Sequence, residues 1–268
     1  MPTHLLEIKD LHTYFFSKDG VNKAVNGVSL ALEEDSILGV VGESGSGKTV
    51  TALSVLQLVP FPGEIVKGSI TYNGRELLGM TSEEIRHIRG KEISLIFQDA
   101  GAALNPVIPI GKQVEEIVLE HTDLGGRRAR ALAIELLGQM GIPDAKNMLN
   151  RYPFQLSGGM AQRVLLAIGV ALKPKVLIAD EPTSNLDVTL QAEILHRLSL
   201  LRKENHSAIM LITHDLGVVA QMTQTVAVMY GGTIVEYTDT SRYLQSPFTP
   251  TLGRCSRRYP AWTPGSSH

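Results

Sequence analysis

Eight consecutive residues of this 268-residue chain, Gly42 to Thr49, have types and a spacing suited to phosphate chemistry. Their sequence is GESGSGKT; the five residues before it, ILGVV, are typical of a short buried strand, and residues 50–58 after it favour a helix. A glycine-rich loop in that position turns backbone N–H groups toward an anion, and the helix N-terminus adds its positive dipole end. Lys48 supplies a mobile positive charge, and the Thr49 hydroxyl is placed to reach a magnesium ion. A plain glycine-rich turn is the alternative, and the flanking strand and helix favour nucleotide binding.

A second glycine turn, Ser157-Gly158-Gly159, precedes a helical stretch that runs to about residue 172. Ser157 is a suitable N-cap, and paired glycines before a helix again leave backbone N–H groups open to an anion. The chain therefore contains a second candidate phosphate site, with a plain capping turn as the alternative.

Three further apolar runs end on polar side chains. One ends on Gln98, one on Asp180 and Glu181, and one shortly before His214. Because ligands bind beyond the carboxyl ends of strands in open α/β sheets, we expect these groups at a phosphate site. Asp180 is suited to hold magnesium through water, and Glu181 to orient or polarise an attacking water. The alternatives are that the two acids cap the next helix, that Gln98 is a satisfied strand end and that the histidine is incidental.

The elements that must position these groups begin with strands. Residues 5–11 and 24–32 predict two strands before the one that leads into the first loop. Between them lie Tyr14, Phe15 and Phe16, which serve either as ordinary packing or as a face on which an adenine base stacks.

Residues 100–153 change to a helical pattern, with apolar side chains three and four positions apart and no strand pattern among them. The dipeptide Asn105-Pro106 breaks the chain before these helices. We interpret the segment as an inserted helical subdomain attached by an elbow.

Composition excludes several classes of protein. The net charge is −2, from 25 basic and 27 acidic residues, which does not suit a general nucleic-acid binder. The one cysteine, Cys255, allows neither an intramolecular disulfide nor a multi-cysteine metal site. The N-terminus lacks the apolar core of a secretory signal, and the longest apolar run, residues 164–172, is too short to cross a bilayer. We expect a soluble chain that meets a membrane through a partner.

Taken together, the motifs resemble those of the nucleotide-binding subunit of an ABC transporter. The likeness covers about residues 5–252. The motifs that carry it are GESGSGKT as the Walker A loop, Gln98 as the Q-loop glutamine, LSGGMAQR as the signature motif, VLIADE as Walker B, SNLD as the D-loop and His214 as the switch histidine.

The resemblance implies an α/β fold: a P-loop NTPase (RecA-like) core with an antiparallel β subdomain and an inserted α-helical subdomain. We assign residues 1–97 and 164–252 to the ATP-binding core and residues 98–163 to the helical signature subdomain. We expect residues 253–268 to be a poorly ordered or truncated tail.

The resemblance also implies that two subunits pair head to tail, with each ATP between Walker A of one and the signature motif of the other. Glu181, His214 and Gln98 are then the catalytic residues, and magnesium is held by Thr49, Gln98 and Asp180. Phe15 best matches the aromatic side chain that stacks on adenine, with Tyr14 as the alternative. The remaining ATP-binding residues are Gly42, Ser44, Gly45, Ser46, Gly47, Lys48, Thr49, Ser157, Gly158, Gly159 and Asp187.

Within the family, FQDAGAALNPV, the methionine of LSGGM and HDLGVVAQM resemble the subunits of peptide and nickel importers. The implied partners are two transmembrane permease subunits, a second ATPase subunit, identical or related, and indirectly an extracytoplasmic substrate-binding protein. The implied location is the cytoplasmic face of the cell membrane. A nickel or metal-chelate importer is one alternative, and a soluble ABC-type ATPase acting on nucleic acid is another, although no coiled-coil heptads or cysteine pairs separate the motifs.

The chain departs from the family pattern in places. Asn185 stands where alanine is common in the D-loop, and Ala100 where proline is usual. The cysteine-rich segment associated with an iron–sulfur cluster in related subunits is missing, so we predict no cluster.

Overall fold

The computed structural model describes residues 4–184 and 186–245. Within these residues the chain divides into two compact units. The first unit comprises residues 4–32, 38–78 and 214–245, and the second comprises residues 33–37 and 79–213. Asn185 and the predicted tail at 253–268 lie outside the described residues.

The first unit contains an antiparallel sheet built from the N-terminal strands. Its members are β1 (Leu6–Ser17), β2 (Gly20–Leu32), β4 (Gly63–Tyr72) and β5 (Arg75–Glu76), in the order β2-β1-β4-β5. The apolar alternation of β1 is imperfect because the pairing with β2 shifts between Ile8 and Leu11, and Asp10 has a φ of +46°. Past this bulge, Leu11 and Thr13 return to the buried face.

The rest of the first unit carries the first glycine loop. Strand β3 (Ile37–Gly42) runs parallel to β9 (Thr225–Tyr230), which forms an antiparallel hairpin with β10 (Thr233–Asp239). Its helices are α1 (Lys48–Val55), α9 (Leu216–Met222) and α10 (Thr240–Gln245). Valines from β3, α9, β9 and β10 pack into one cluster that buries this layer.

The second unit is organised around three parallel strands. These are β6 (Ile93–Ile96), β7 (Val176–Asp180) and β8 (Ala208–Thr213), with β7 in the middle. All residues of β7 and β8 are buried, which explains why both read as continuous apolar runs.

Helices fill most of the second unit, and between residues 97 and 175 the structure has helices and turns without a strand, as the sequence predicts. They are α2 (Ser82–Ile88), α3 (Ala100–Ala103), α4 (Ile110–His121), α5 (Gly126–Gln139), α6 (Ala145–Met148), a 3-10 turn (Pro153–Gln155), α7 (Gly158–Val170) and α8 (Val188–Asn205). The assignment of 98–163 as a separate subdomain stays a prediction. Among the described residues, no helix is long and apolar enough to cross a membrane.

A buried carboxylate joins two of these helices. Glu115 of α4 is 4% exposed and accepts a 3.0 Å hydrogen bond from Arg130 of α5. Lys112 lies 3.4 Å from its other oxygen, so the buried charge is paired on both sides. Arg130 also donates to Asn150 at 3.3 Å, which extends the link beyond α5.

We predict that Glu115→Ala lowers the free energy of unfolding by about 2 kcal/mol, because it removes a charged hydrogen bond from a buried site. The check is urea denaturation followed by circular dichroism. The control is Arg86→Ala, which breaks the pair Arg86–Glu120, whose side chains are 66% and 47% exposed. Exposed pairs contribute about 0–1 kcal/mol, so equal losses in the two variants would contradict the prediction.

Candidate functional site

The loop from Gly42 to Thr49 joins β3 to α1, as the sequence predicts. Its turn is closed by the Ser46 N–H, which donates to the Glu43 carbonyl at 3.1 Å. Gly47 is the N-cap of α1 in a left-handed conformation, with a φ of +102° and no side-chain cap. A helix N-terminus without a side-chain cap is a common binding place for an anion.

Two glycines in this loop cannot be replaced without moving the backbone. A Cβ on Gly47 would lie 2.3 Å from the Ala24 carbonyl oxygen, and one on Gly42 would lie 2.2 Å from the Met229 carbonyl oxygen. Such close approach between backbone segments requires the absence of a side chain. Glycine is therefore required at both ends of the G-x-x-x-x-G motif by close contacts with β2 and β9, in addition to any need for space around an anion.

The structure adds a contact that the sequence did not indicate. The Gly232 N–H donates to the Ser46 carbonyl at 3.1 Å, and the Asn26 N–H donates to the Gly232 carbonyl at 2.7 Å. The turn between β9 and β10 thus ties the loop to β2. The pair Gly231-Gly232 predicts only a hairpin turn; its role in holding the loop has no separate signal in the sequence.

Lys48 is the buried positive charge of the loop. Its side chain is 6% exposed, and its ammonium group donates to the carbonyls of Gly42 at 2.8 Å and Glu43 at 2.9 Å. These contacts fix the charge at the loop rather than in solvent. Thr49, next in the chain, is exposed at the first turn of α1.

Both candidate aromatic residues lie on β1 in the same unit. The Tyr14 hydroxyl donates to the Asn26 side-chain oxygen at 2.8 Å and lies 3.0 Å from His12 Nδ1, and Lys23 lies 5.5 Å from the ring centre. Phe15 instead faces its cross-strand neighbour Gly63, where an added Cβ would be 2.7 Å from its ring. The Tyr14 hydroxyl therefore already has hydrogen-bond partners and its ring lies near a lysine, whereas the Phe15 side chain is an apolar ring without a polar group.

The second glycine turn lies in the second unit and begins α7. Ser157 is the N-cap, and its hydroxyl accepts from the Met160 N–H at 3.3 Å, as the sequence predicts. Ser157 and Gly158 are exposed, whereas Gly159 is buried. The helix is 13 residues long, and the N-terminus of a helix has the partial positive charge that favours an anion.

The structure brings Gln98 and Glu181 together. Gln98 Nε2 donates to a Glu181 carboxylate oxygen at 3.0 Å, although 83 positions separate them in the chain. Glu181 follows β7 with a φ of +45°, its N–H donates to the Ile212 carbonyl at 2.9 Å, and its carbonyl accepts from the Ser184 N–H at 3.1 Å. A left-handed conformation is unfavourable for a glutamate, and such strain concentrates at functional sites.

The remaining predicted residues have definite places. Asp180 ends β7 and is 3% exposed, and His214 follows β8 and is exposed. Asp187 is the N-cap of α8 and accepts from the Leu190 N–H at 3.0 Å. The first unit thus contains the glycine loop with Lys48 and the two aromatic candidates. The second unit contains Gln98, Asp180, Glu181 and the second glycine turn.

Comparison with known families agrees with this geometry. The family model described as ABC transporter matches residues 25–184, which is more than half of the chain. The chain belongs to the ABC transporter family and is one of its ATP-binding subunits, an ATPase.

More particularly, the chain is similar to peptide-transport ATP-binding proteins. It is 46% identical over 235 residues to the oligopeptide transport ATP-binding protein OppD of Bacillus subtilis, a match that covers 87% of this chain and 66% of that protein. It is 48% identical over 248 residues to the dipeptide transport ATP-binding protein DppD of Lactococcus lactis, covering 92% and 71%. The chain therefore spans about two thirds of the length of these relatives.

Solved structures confirm the predicted fold class. The ATP-binding cassette MJ0796, in a dimeric post-hydrolysis structure with ADP and phosphate, aligns with a TM-score of 0.79 at 23% identity, over 88% of this chain and 98% of that one. The CbiO1 structure from Clostridium perfringens aligns with a TM-score of 0.75 at 22% identity, over 91% and 92%. The architecture is that of an ABC cassette.

We predict that Phe15→Ala raises the Kd for ATP about tenfold, because an aromatic stack contributes about 0.5–1.5 kcal/mol beyond its buried area. Tyr14→Ala removes the alternative aromatic ring and is expected to leave the Kd within about twofold. Titration with a fluorescent ATP analogue measures both. A loss confined to the Tyr14 variant would reverse the assignment.

Proposed function

We propose that this protein is the ATP-hydrolysing motor of a peptide importer, in which two ATPase subunits close around two ATP molecules. The observation that carries the proposal is the presence in one chain of two separate glycine turns that each begin a helix, Gly42 to Thr49 and Ser157 to Gly159. A single nucleotide needs one such turn for its phosphates. Two turns on each of two subunits give two sites, each completed from both subunits.

The first turn binds the nucleotide. The N–H groups at the start of α1 and the Lys48 charge are complementary to the β- and γ-phosphates, and Phe15 is the proposed partner of the adenine ring. The turn at Ser157, Gly158 and Gly159 completes the site of the partner subunit, with Asp187 beside the start of α8. Ser44, Gly45 and Ser46 supply the rest of the phosphate cradle.

Glu181 is the proposed residue that orients and polarises the attacking water. The Gln98 amide donates to one oxygen of the carboxylate at 3.0 Å, which fixes the direction of the side chain that would orient the water. The proposed role of His214 is contact with the γ-phosphate, which suits an exposed imidazole directly after β8. Hydrolysis by one subunit alone is expected to be slow, because the second turn must come from another molecule.

The residues proposed for magnesium fit that ion chemically. Magnesium prefers oxygen ligands, and the Thr49 hydroxyl, the Gln98 amide oxygen and the Asp180 carboxylate are all oxygen donors. Asp180 is a buried carboxylate, which a cation would compensate. When bound, the ion neutralises charge on the phosphates during transfer. Among the described residues no three His, Cys, Asp or Glu side chains cluster, in keeping with a site that depends on nucleotide oxygens.

The transport role and the cargo follow from the relatives. Both relatives described above are named as peptide-transport proteins, one for oligopeptides and one for dipeptides. We therefore propose peptide as the cargo, two transmembrane permease subunits and a second ATPase subunit as partners, and a position at the cytoplasmic face of the membrane. A substrate-binding protein outside the membrane would supply the cargo.

We predict that Glu181→Gln reduces ATP hydrolysis by about two to four orders of magnitude and leaves ATP binding intact, because only water activation is lost. ATP should then hold the variant as a dimer on size-exclusion chromatography with light scattering. Glu135→Gln, an exposed change on α5, is the control. Hydrolysis at the wild-type rate would remove Glu181 from the catalytic role, and a variant that stays monomeric with saturating ATP would contradict the two-subunit site.

We expect a strain lacking this subunit to lose uptake of defined di- and oligopeptides while retaining nickel uptake. Isotope uptake measures both, with the intact gene and its Glu181→Gln form as complements. Restoration by the intact form alone supports the proposal. Loss of nickel uptake instead would move the cargo to metal chelates, and loss of neither would exclude both cargoes.

A further inference from the structure

A buried amide one turn into α7 lacks a hydrogen-bond partner. Gln162 is 5% exposed, and its Nε2 atom is fully buried with no acceptor among the described residues. A buried polar group without a partner is unfavourable, so its presence in a well-packed helix calls for a reason. A second such atom is the hydroxyl of Ser184, in the segment between Glu181 and α8.

The direction of Gln162 follows from its neighbours on α7. Gly159 faces α8, since an added Cβ would be 2.9 Å from Leu190 Cδ1 and 3.8 Å from Leu186 Cδ2. Gly169 faces β6, since its added Cβ would be 2.8 Å from Ile96 Cγ1. At about 100° per residue, Gln162 projects between these two directions, about 60° from Gly159 and about 20° from Gly169.

This direction places the amide among the parts of the site in the second unit. Residue 98 follows β6, and α3, the next helix in the chain, packs against α7. On the other side, Leu186 belongs to the segment 181–187, which begins with Glu181 and in which the Ser184 N–H donates to the Glu181 carbonyl. Gln162 therefore lies between the segment that carries Gln98 and the segment that carries Glu181.

Side-chain contacts of Arg163 link α7 to its neighbours. Arg163, the next residue, pairs with Glu193 of α8 at 2.7 Å and donates to the Gly141 carbonyl at 2.9 Å. The N-terminal turn of the same helix is the proposed binding site for the partner's nucleotide. Because Gln162 lies on the same helix as that turn, a movement of α7 when the partner's nucleotide binds also changes the position of Gln162 relative to Ser184.

We propose that Gln162 is a positioning residue whose Nε2 donates to the Ser184 hydroxyl when two subunits close on ATP. Through this bond, the binding of the partner's nucleotide at the Ser157 turn would affect the backbone position of Glu181. The inference rests on the proposed function, in which ATP closes two copies of the chain. It explains why two polar atoms on neighbouring segments are both kept without partners.

The test is a double-mutant cycle in the Glu181→Gln background, with Gln162→Leu, Ser184→Ala and both together. The measurement is the ATP concentration that gives half-maximal dimer. We expect each single change to raise that concentration about tenfold, and the double change to raise it no further, because one hydrogen bond is lost in all three. Gln139→Leu, a change of an exposed glutamine on α5, is the control and should not shift it.

A readout without nucleotide separates this role from ordinary packing. Gln162→Leu should raise the Tm of the nucleotide-free chain, since it removes an unsatisfied amide, while a packing role would lower it. If the Gln162→Leu variant does not fold, the ATP dependence of dimer formation by Ser184→Ala still tests the proposed bond. Additive effects in the cycle, unchanged dimerisation or a lower Tm would overturn the inference. Failure of Glu181→Gln itself to dimerise with ATP would instead overturn the proposed function.

Discussion

The shape of the phosphate loop depends on backbone carbonyls that occupy the places of two side chains. Ala24 and Met229 approach Gly47 and Gly42 so closely that a Cβ at either glycine would overlap a carbonyl oxygen. The loop is therefore held by strands on two sides before any ligand arrives, and Lys48 is fixed on the loop carbonyls. Preorganisation of this kind lowers the entropy lost when a nucleotide binds.

In the second unit, ion pairs between side chains hold the helices together, whereas in the first unit backbone contacts hold the loop. Glu115 and Arg130 join α4 to α5, and Arg163 and Glu193 join α7 to α8. The second pair holds α7, whose N-cap is Ser157, against α8, the helix that follows Glu181 in the chain. The turn at Ser157, proposed to bind an anion, and Glu181, proposed to orient water, therefore lie in the same compact unit, so a movement of one is able to affect the other.

Much of the site was readable from the sequence because its residues are local. The loop at Gly42 to Thr49 and the N-cap Ser157 follow from spacing and helix physics, and both were found as predicted. The bond between Gln98 and Glu181 and the contact of Gly232 with Ser46 were not predictable, since each joins distant segments through tertiary packing. Asn185 lies outside the described residues, so its effect on the D-loop stays a prediction.

The left-handed backbone at Glu181 has a consequence for how such a chain changes over time. A non-glycine residue in this conformation costs about 1–3 kcal/mol, so glycine would suit the backbone better at that position. A carboxylate is nevertheless what the proposed chemistry needs there. Stability and turnover therefore favour different residues at one position, and a descendant released from catalysis would be free to relax this turn first.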